Sequence, residues 1–401
     1  MTTYFPVTRM PLQIIRVVFV LVLFLSARAA LAQHEPSGGS IKDVAGGTVS
    51  TPVKSGRAPV REPPRRPTPP VRRKSVAAKS NGMDADDYYD DGNRFLNDKK
   101  YPEAIEAYNN AIKLNPRYAE AFYGIGWIHN DQQDYELAVD ALTKALRFKP
   151  DYPDALIELG YSHRNLKHYD EAMSSYRRAI SLKPDSATAF YEIGWIDNER
   201  KQYADAVTSL KQAIQFRANY ADAYTELGYA YRKLERFPEA IREYKEAIRL
   251  KPDIAAAYTG LGDVYFYNTK QYAEAANAYR EGLRLKGENA TAFYNLGWCY
   301  NDLKRYDEAL EPLKQAIRIK PEYPEAHVEL GYAYRRTDRY ADAVGEYKTA
   351  IQQKPDLVDA HYNLGIVYLL MKNRAGAMEE YRSLQRLDGA TAQKLYQEMN
   401  K

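Results

Sequence analysis

A glycine returns along this chain at nearly constant spacing, and that period limits what the chain can fold into more than any other feature. It stands at Gly92, Gly126, Gly160, Gly194, Gly228, Gly262, Gly297, Gly331 and Gly365, every step 34 residues except the 35 between Gly262 and Gly297. Twelve residues after each glycine stands an alanine: Ala104, Ala138, Ala172, Ala206, Ala240, Ala309, Ala343 and Ala377, with Ala275 one residue late in the sixth unit. A second small residue follows the alanine by seven, as in Ala111, Ala145, Ala179, Ala213, Ala247, Gly282, Ala316 and Ala350. A period of this length means one helical hairpin stacked many times. Glycine inside a helix costs ~1 kcal/mol against alanine, so nine recurrences need a common cause. Close approach of the two helices of a hairpin is the expected one. The second small residue would then sit where one hairpin meets the next.

Other positions keep the same register. A proline stops most second helices (Pro116, Pro150, Pro184, Pro252, Pro321, Pro355), because it has no N–H and cannot continue the helix. Leucine or isoleucine precedes most glycines (Ile125, Leu159, Ile193, Leu227), and an aromatic opens most second helices (Tyr135, Tyr169, Tyr203, Phe237). In these residues the chain resembles the tetratricopeptide repeat (TPR) family over nine units. The resemblance implies an all-α, right-handed solenoid of about nine hairpins over 85–390, with units starting near 85, 119, 153, 187, 221, 255, 290, 324 and 358. It also implies that the first helices line an inner, concave face. Ala392, Leu395 and Met399 share one helical face, which predicts a capping helix over 391–401. Some units depart from the pattern. Ala218, Gly287 and Gly389 replace the proline, Asp91 replaces the apolar residue before Gly92, and Arg374 replaces the aromatic of the ninth unit.

The N-terminal fifth has a different character. Arg9 and Arg16 precede the apolar run Val17–Leu25, and Ala30-Leu31-Ala32 offers small residues where a signal peptidase cuts, so 1–32 reads as a signal peptide for export to the periplasm, cell envelope or medium. The apolar run is short for a membrane span. Residues 33–84 form a linker rich in Pro, Gly, Ser and Arg that cannot bury enough surface to offset its ordering entropy. It is either a plain spacer or a basic tether to anionic envelope polymers, lipid headgroups or a proline-binding partner. Membrane contact is expected only through the signal or this linker. From Met1 to Met83 there are 13 basic and 3 acidic residues; the rest has 44 and 50. The array is thus mildly acidic, which argues against nucleic-acid binding.

Units two to five alternate between two types, AFYGIGWIHND and ALIELGYSHRN, and units seven and eight repeat the pair. Steps of three to four share a helix face, so one type places Tyr123, Trp127 and Asn130, then Tyr191, Trp195 and Asn198, then Tyr294, Trp298 and Asn301 on the inner face. The other places Tyr161 and Arg164, Tyr229 and Arg232, Tyr332 and Arg335 there, with Glu158, Glu226 and Glu329 near the edge. Rings give apolar area, asparagine matches a peptide backbone, and arginine can hold a carboxylate with two bonds. The expectation is a non-enzymatic scaffold binding protein or extended peptide segments, with the arginine heads solvated in the free protein. A polysaccharide ligand, a role as accessory subunit of an enzyme complex, and simple packing of duplicated rings stay open.

The sequence offers no motif for catalysis, cofactor or metal. His129, His163, His327 and His361 lie on the apolar stripe of first helices without ligand spacing, and Cys299 reads as a buried, inert thiol. Tyr108, Tyr176, Tyr244 and Tyr347 read as packing residues of second helices. Asn93 matches one asparagine of the carboxylate clamp of chaperone-binding TPR proteins, but Tyr89 and Gly124 replace its partners, so that activity is not carried over. The sixth unit carries an extra residue near Asn268-Thr269 and two glycines, Gly282 and Gly287. These would either lengthen the turn between its helices or loosen packing between Ile254 and Gly287 into a hinge.

Overall fold

The computed structural model describes residues 83–401. The signal peptide expected over 1–32 and nearly all of the linker expected over 33–84 lie outside the described residues. Among those residues there are nineteen α-helices, one short π-helical turn and no strand. Eighteen helices pair into nine hairpins: α1 (Ala85–Asn97) with α2 (Tyr101–Leu114), α3 (Ala119–Asp131) with α4 (Tyr135–Phe148), α5 (Pro153–Asn165) with α6 (Tyr169–Leu182), α7 (Ala187–Glu199) with α8 (Tyr203–Phe216), and α9 (Ala221–Lys233) with α10 (Phe237–Leu250). The series continues with α11 (Ala255–Asp263) and α12 (Tyr272–Leu285), α13 (Ala290–Asp302) and α14 (Tyr306–Ile319), α15 (Pro324–Arg336) and α16 (Tyr340–Gln353), then α17 (Val358–Leu370) and α18 (Arg374–Leu387). The last helix is α19 (Gly389–Met399). Each helix packs on its chain neighbours, so the core is a layer that runs through an α-solenoid. Among the described residues no helix is long and apolar enough to cross a membrane.

The turn inside each hairpin is one motif repeated. In the third unit Lys167 N–H donates to Arg164 C=O at 3.0 Å and His168 N–H to His163 C=O at 2.8 Å. These are the two crossed bonds that close a helix through a left-handed residue. That residue is never glycine here. It is Lys99, Gln133, Lys167, Lys201, Glu235, Lys270, Lys304, Asp338 and Lys372, with φ between 56° and 67°.

The regular spacing of glycine has a sharper cause than helix contact alone. A methyl built on Gly126 would come 2.6 Å from Leu142 Cγ, on Gly194 2.6 Å from Leu210 Cγ, and on Gly297 2.4 Å from Leu313 Cγ. In the alternate units the intruder is a tyrosine ring: Tyr108 over Gly92, Tyr176 over Gly160, Tyr244 over Gly228, Tyr279 over Gly262 and Tyr347 over Gly331. In the first eight units the glycine is therefore the floor of a socket for the large side chain four residues beyond the alanine. Those tyrosines and leucines are among the most deeply buried side chains of the chain, and burying rings of this size is the main source of stability in such a layer. The second small position can be placed directly at Gly282. A methyl there would meet Thr259, Tyr258 and Ala255 first, all in the partner helix of its own hairpin.

The extra residue of the sixth unit falls near Asn268-Thr269, as the spacing required, but it neither lengthens the turn nor exposes the second helix. The turn is unchanged, with Lys270 left-handed as in every other unit. The insertion is absorbed in the last turn of the first helix, where Val264–Thr269 is π-helical and Gln271 N–H reaches back six residues to Tyr265 C=O at 2.9 Å. Packing does not loosen: Ala275 and Tyr279 have no exposed surface, and Leu283 is buried. The bulge instead turns Phe266 into a ring cluster with Tyr267, Tyr272, Tyr279 and Trp298.

Both ends are closed by polar devices. Asp84 accepts from the N–H groups of Asp86 and Asp87 while Asp87 accepts from Asp84 N–H, a capping box that explains the acidic run. At the other end Leu395 of α19 fills the socket above Gly365. Arg374, anomalous in sequence, donates to Met399 C=O at 2.7 Å and so caps that helix. In the ninth unit His361 Nδ1 faces Glu380 Oε2 at 2.6 Å and Nε2 faces Pro355 C=O at 3.0 Å. Both partners only accept, so both nitrogens donate and the ring is imidazolium. The Glu380 hydrogen bond, against burial and the more distant Arg386, raises its pKa above the ordinary 6.5. The bond thus stabilises the fold fully below the unfolded value, and that stability is lost as pH rises through the raised one. The melting temperature of the wild type relative to His361→Gln is expected to fall between pH 6 and the alkaline side of neutral. A difference flat across that range would contradict the assignment.

Candidate functional site

The fifteen residues expected to face a ligand sit on the first helices, as the spacing required. Most of their polar groups, however, join one unit to the next. Asn130 Nδ2 donates to Glu158 Oε2 at 2.9 Å and to Glu158 C=O at 3.0 Å. Asn198 does the same to Glu226, and Asn301 to Glu329. Arg164 Nη1 lies 2.8 Å from Glu192 Oε2, with both side chains 4% exposed. Arg232 Nη1 lies 3.4 Å from Asp263 Oδ2. The expectation of solvated arginine heads is therefore corrected for Arg164, which is buried between the rings of Tyr161 and Trp195 at 4.9 and 4.6 Å, and for Arg232, which is 16% exposed and paired with Asp263.

The tyrosines three places before the glycine are also interface residues. Tyr123, Tyr191 and Tyr294 pack on Tyr152, Tyr220 and Tyr323 of the following unit, with ring centroids 4.9–5.1 Å apart. Tyr123, Trp127, Asn130, Tyr161, Arg164, Tyr191, Asn198 and Asn301 are all buried. Trp195, Tyr229, Arg232, Tyr294, Trp298, Tyr332 and Arg335 stay partly exposed. The accessible part of the face thus lies from the fourth unit onward. Trp298 rests on Tyr272 at 4.8 Å and Phe266 at 5.1 Å, and Tyr332 on Tyr306 at 5.9 Å.

Sequence reasoning treated Glu158, Glu226 and Glu329 as edge residues and missed Ser162. The missed signal is an offset of 28 residues, which joins Asn130 to Glu158, Arg164 to Glu192, Asn198 to Glu226 and Asn301 to Glu329. Ser162 Oγ donates to Asn130 Oδ1 at 2.6 Å. Alanine stands in its place at Ala230 and Ala333, and there the Oδ1 atoms of Asn198 and Asn301 are buried without a partner. Ser162→Ala is expected to cost about 1–3 kcal/mol by orphaning a buried acceptor, whereas Ala230→Ser and Ala333→Ser should be neutral or stabilising by about 1 kcal/mol. Equilibrium urea unfolding of the three variants tests this; equal signs for all three would refute it.

Electrostatics follow burial. Burial, partly offset by the Asn301 donor, pushes Glu329 up to about 7. Burial raises the Cys299 thiol, which is fully enclosed in α13. His327 Nδ1 faces Glu346 Oε2 at 2.6 Å. Tyr108, Tyr176, Tyr244 and Tyr347 are buried socket fillers. Among the described residues no group of His, Cys, Asp and Glu is arranged to hold a metal ion.

Comparison with known proteins points one way. Models described as tetratricopeptide repeat match residues 89–153, 265–324 and 153–186. A model described as TPR repeat matches residues 194–235, 228–268 and 331–372. No curated protein matches the sequence. Among solved structures the chain is similar to YrrB, described as a TPR protein with an unusual peptide-binding site, at 26% identity over 47% of this chain and 97% of that one, TM-score 0.45. It is also similar to MamA (27% identity, 42% and 97% covered, TM-score 0.37) and to Pseudomonas aeruginosa pilF (20%, 54% and 98%, TM-score 0.43). With the sockets, turns and stacked hairpins already described, the repeat matches identify the chain as a member of the tetratricopeptide repeat family.

Proposed function

We propose that the chain is a non-enzymatic scaffold that holds an extended polypeptide along the first-helix face of its later units. TPR folds of this kind serve as protein-binding scaffolds, and the observation that carries the finer reading is the partly exposed row Trp195, Tyr229, Arg232, Trp298, Tyr332 and Arg335. These side chains are held by neighbouring rings yet keep surface to offer. Aromatic bodies and guanidinium heads in one row suit a peptide better than a flat protein face. The full chain, screened on a peptide array and a panel of envelope glycans, should retain peptides. Trp298→Ala with Tyr332→Ala should weaken retention tenfold or more at matched helicity. Retention of glycans alone, or indifference to the double substitution, would overturn the reading.

We also propose that the protein works outside the cytoplasm, on the strength of Arg9, Arg16, the run Val17–Leu25 and Ala30-Leu31-Ala32. N-terminal sequencing of exported material should begin at Gln33, and an intact Met1 in the membrane fraction would oppose it.

A further inference from the structure

The 28-residue offset exposes an open position at the C-terminal end. Arg164 meets Glu192, and Arg232, whose offset position is Gly260, meets Asp263 instead. Arg335 holds the equivalent position in the eighth unit, and its offset position in the ninth is Asn363. That amide turns inward: its Nδ2 donates to Asp359 C=O at 2.9 Å, within its own helix. Among the described residues no carboxylate lies within ion-pair distance of Arg335. Its Nε is buried with no hydrogen-bond partner. The Tyr332 ring lies 5.0 Å from the guanidinium. The buried Tyr347 hydroxyl lies against the guanidinium, its one side-chain hydrogen-bonding neighbour.

Asparagine is one methylene shorter than glutamate and uncharged. Where the third unit's arginine meets a carboxylate from the fourth, the eighth unit's therefore leaves a cation, a ring wall and a hydroxyl around an empty carboxylate position. We infer that Arg335, with the Tyr347 hydroxyl, receives a carboxylate from the bound polypeptide, either an Asp or Glu side chain or a free C-terminus. This rests on the peptide-binding reading and adds to it where the chain is gripped and by what chemistry. Arginine suits the task because its fork matches a carboxylate with two parallel bonds.

Two measurements on the full chain test it separately from that reading. The first needs no ligand. Asn363→Glu should supply the carboxylate from within and raise the melting temperature. That gain should vanish in Arg335→Gln/Asn363→Glu relative to Arg335→Gln alone, a cycle that cancels the helix preference of glutamate. A gain independent of Arg335 would overturn the inference. The second uses the peptides retained on the array, synthesised with acidic residues intact or replaced by amides, and with free or amidated C-termini. Wild type should lose at least tenfold in affinity when the responsible carboxylate is neutralised, and the pattern names its source. Arg335→Gln and Asn363→Glu should each lower binding of the intact peptide by at least tenfold. Peptides bound equally by all variants, or a preference for phosphopeptides over acidic ones, would overturn the carboxylate assignment while leaving peptide binding in place. Failure of every peptide to bind would instead remove the peptide-binding reading and, with it, this one.

Discussion

Arg164→Ala is expected to destabilise the protein by about 3–5 kcal/mol, the usual cost of removing one partner of a buried ion pair. Nearly all of the pair is out of water, and its 2.8 Å approach is an ion pair without the alignment of a hydrogen bond. Truncation strips Glu192 of its guanidinium and removes the planar group that fills the gap between Tyr161 and Trp195. Arg232→Ala should cost much less, because Arg232 and Asp263 are each 16% exposed and stand 3.4 Å apart. Replacing both Arg164 and Glu192 by leucine should recover most of the loss, since a buried pair is rarely worth more than well-packed apolar groups. Urea unfolding measures all three. A cost below about 1 kcal/mol for Arg164→Ala would mean that the pair is solvated in practice.

The second large effect comes with an internal reversal of sign. Gly297→Ala puts a methyl 2.4 Å from Cγ of the fully buried Leu313, so something must shift. Overpacking of this kind costs about 1–3 kcal/mol, and the leucine can escape only by leaving its rotamer. Gly345, inside α16, has nothing within 4 Å of an added methyl. There the substitution should stabilise by about 1 kcal/mol, because only the backbone entropy of glycine in a helix remains. The same chemical change in two helices of one chain thus separates socket glycines from merely tolerated ones. Melting temperatures moving in the same direction would refute the socket.

The hairpins were legible because their signals are local and repeat nine times. Glycine and proline positions report requirements met inside a single hairpin, a socket for its own second helix and a helix stop, so each unit carries its own signal. The candidate face was less legible because helical periodicity assigns a residue to a face and says nothing about what covers it. Trp127 and Trp298 occupy the same place in their units, yet one is buried and the other partly exposed. Asn130 and Arg164 looked like ligand groups since their partners, Glu158 and Glu192, lie one unit further on. The sixth unit shows the same limit. An extra residue is visible in the sequence, but whether it goes into the turn or the helix depends on the ring cluster that receives Phe266.

The left-handed residues at the nine turns bear on how the array comes apart. A side chain held at φ near +60° costs about 1 kcal/mol or more relative to glycine, and all nine positions carry one: Lys at six of them, and Gln133, Glu235 and Asp338 at the others. Each hairpin is therefore weakened from within, while the carboxylates, amides and rings at its borders bind it to the next. In a linear chain of coupled units, low intrinsic stability with strong coupling sharpens cooperativity. A hairpin detached from its neighbours has little to hold it, so partial unfolding from one end is suppressed and the units melt together. A polypeptide lying across several of them would be released in one step.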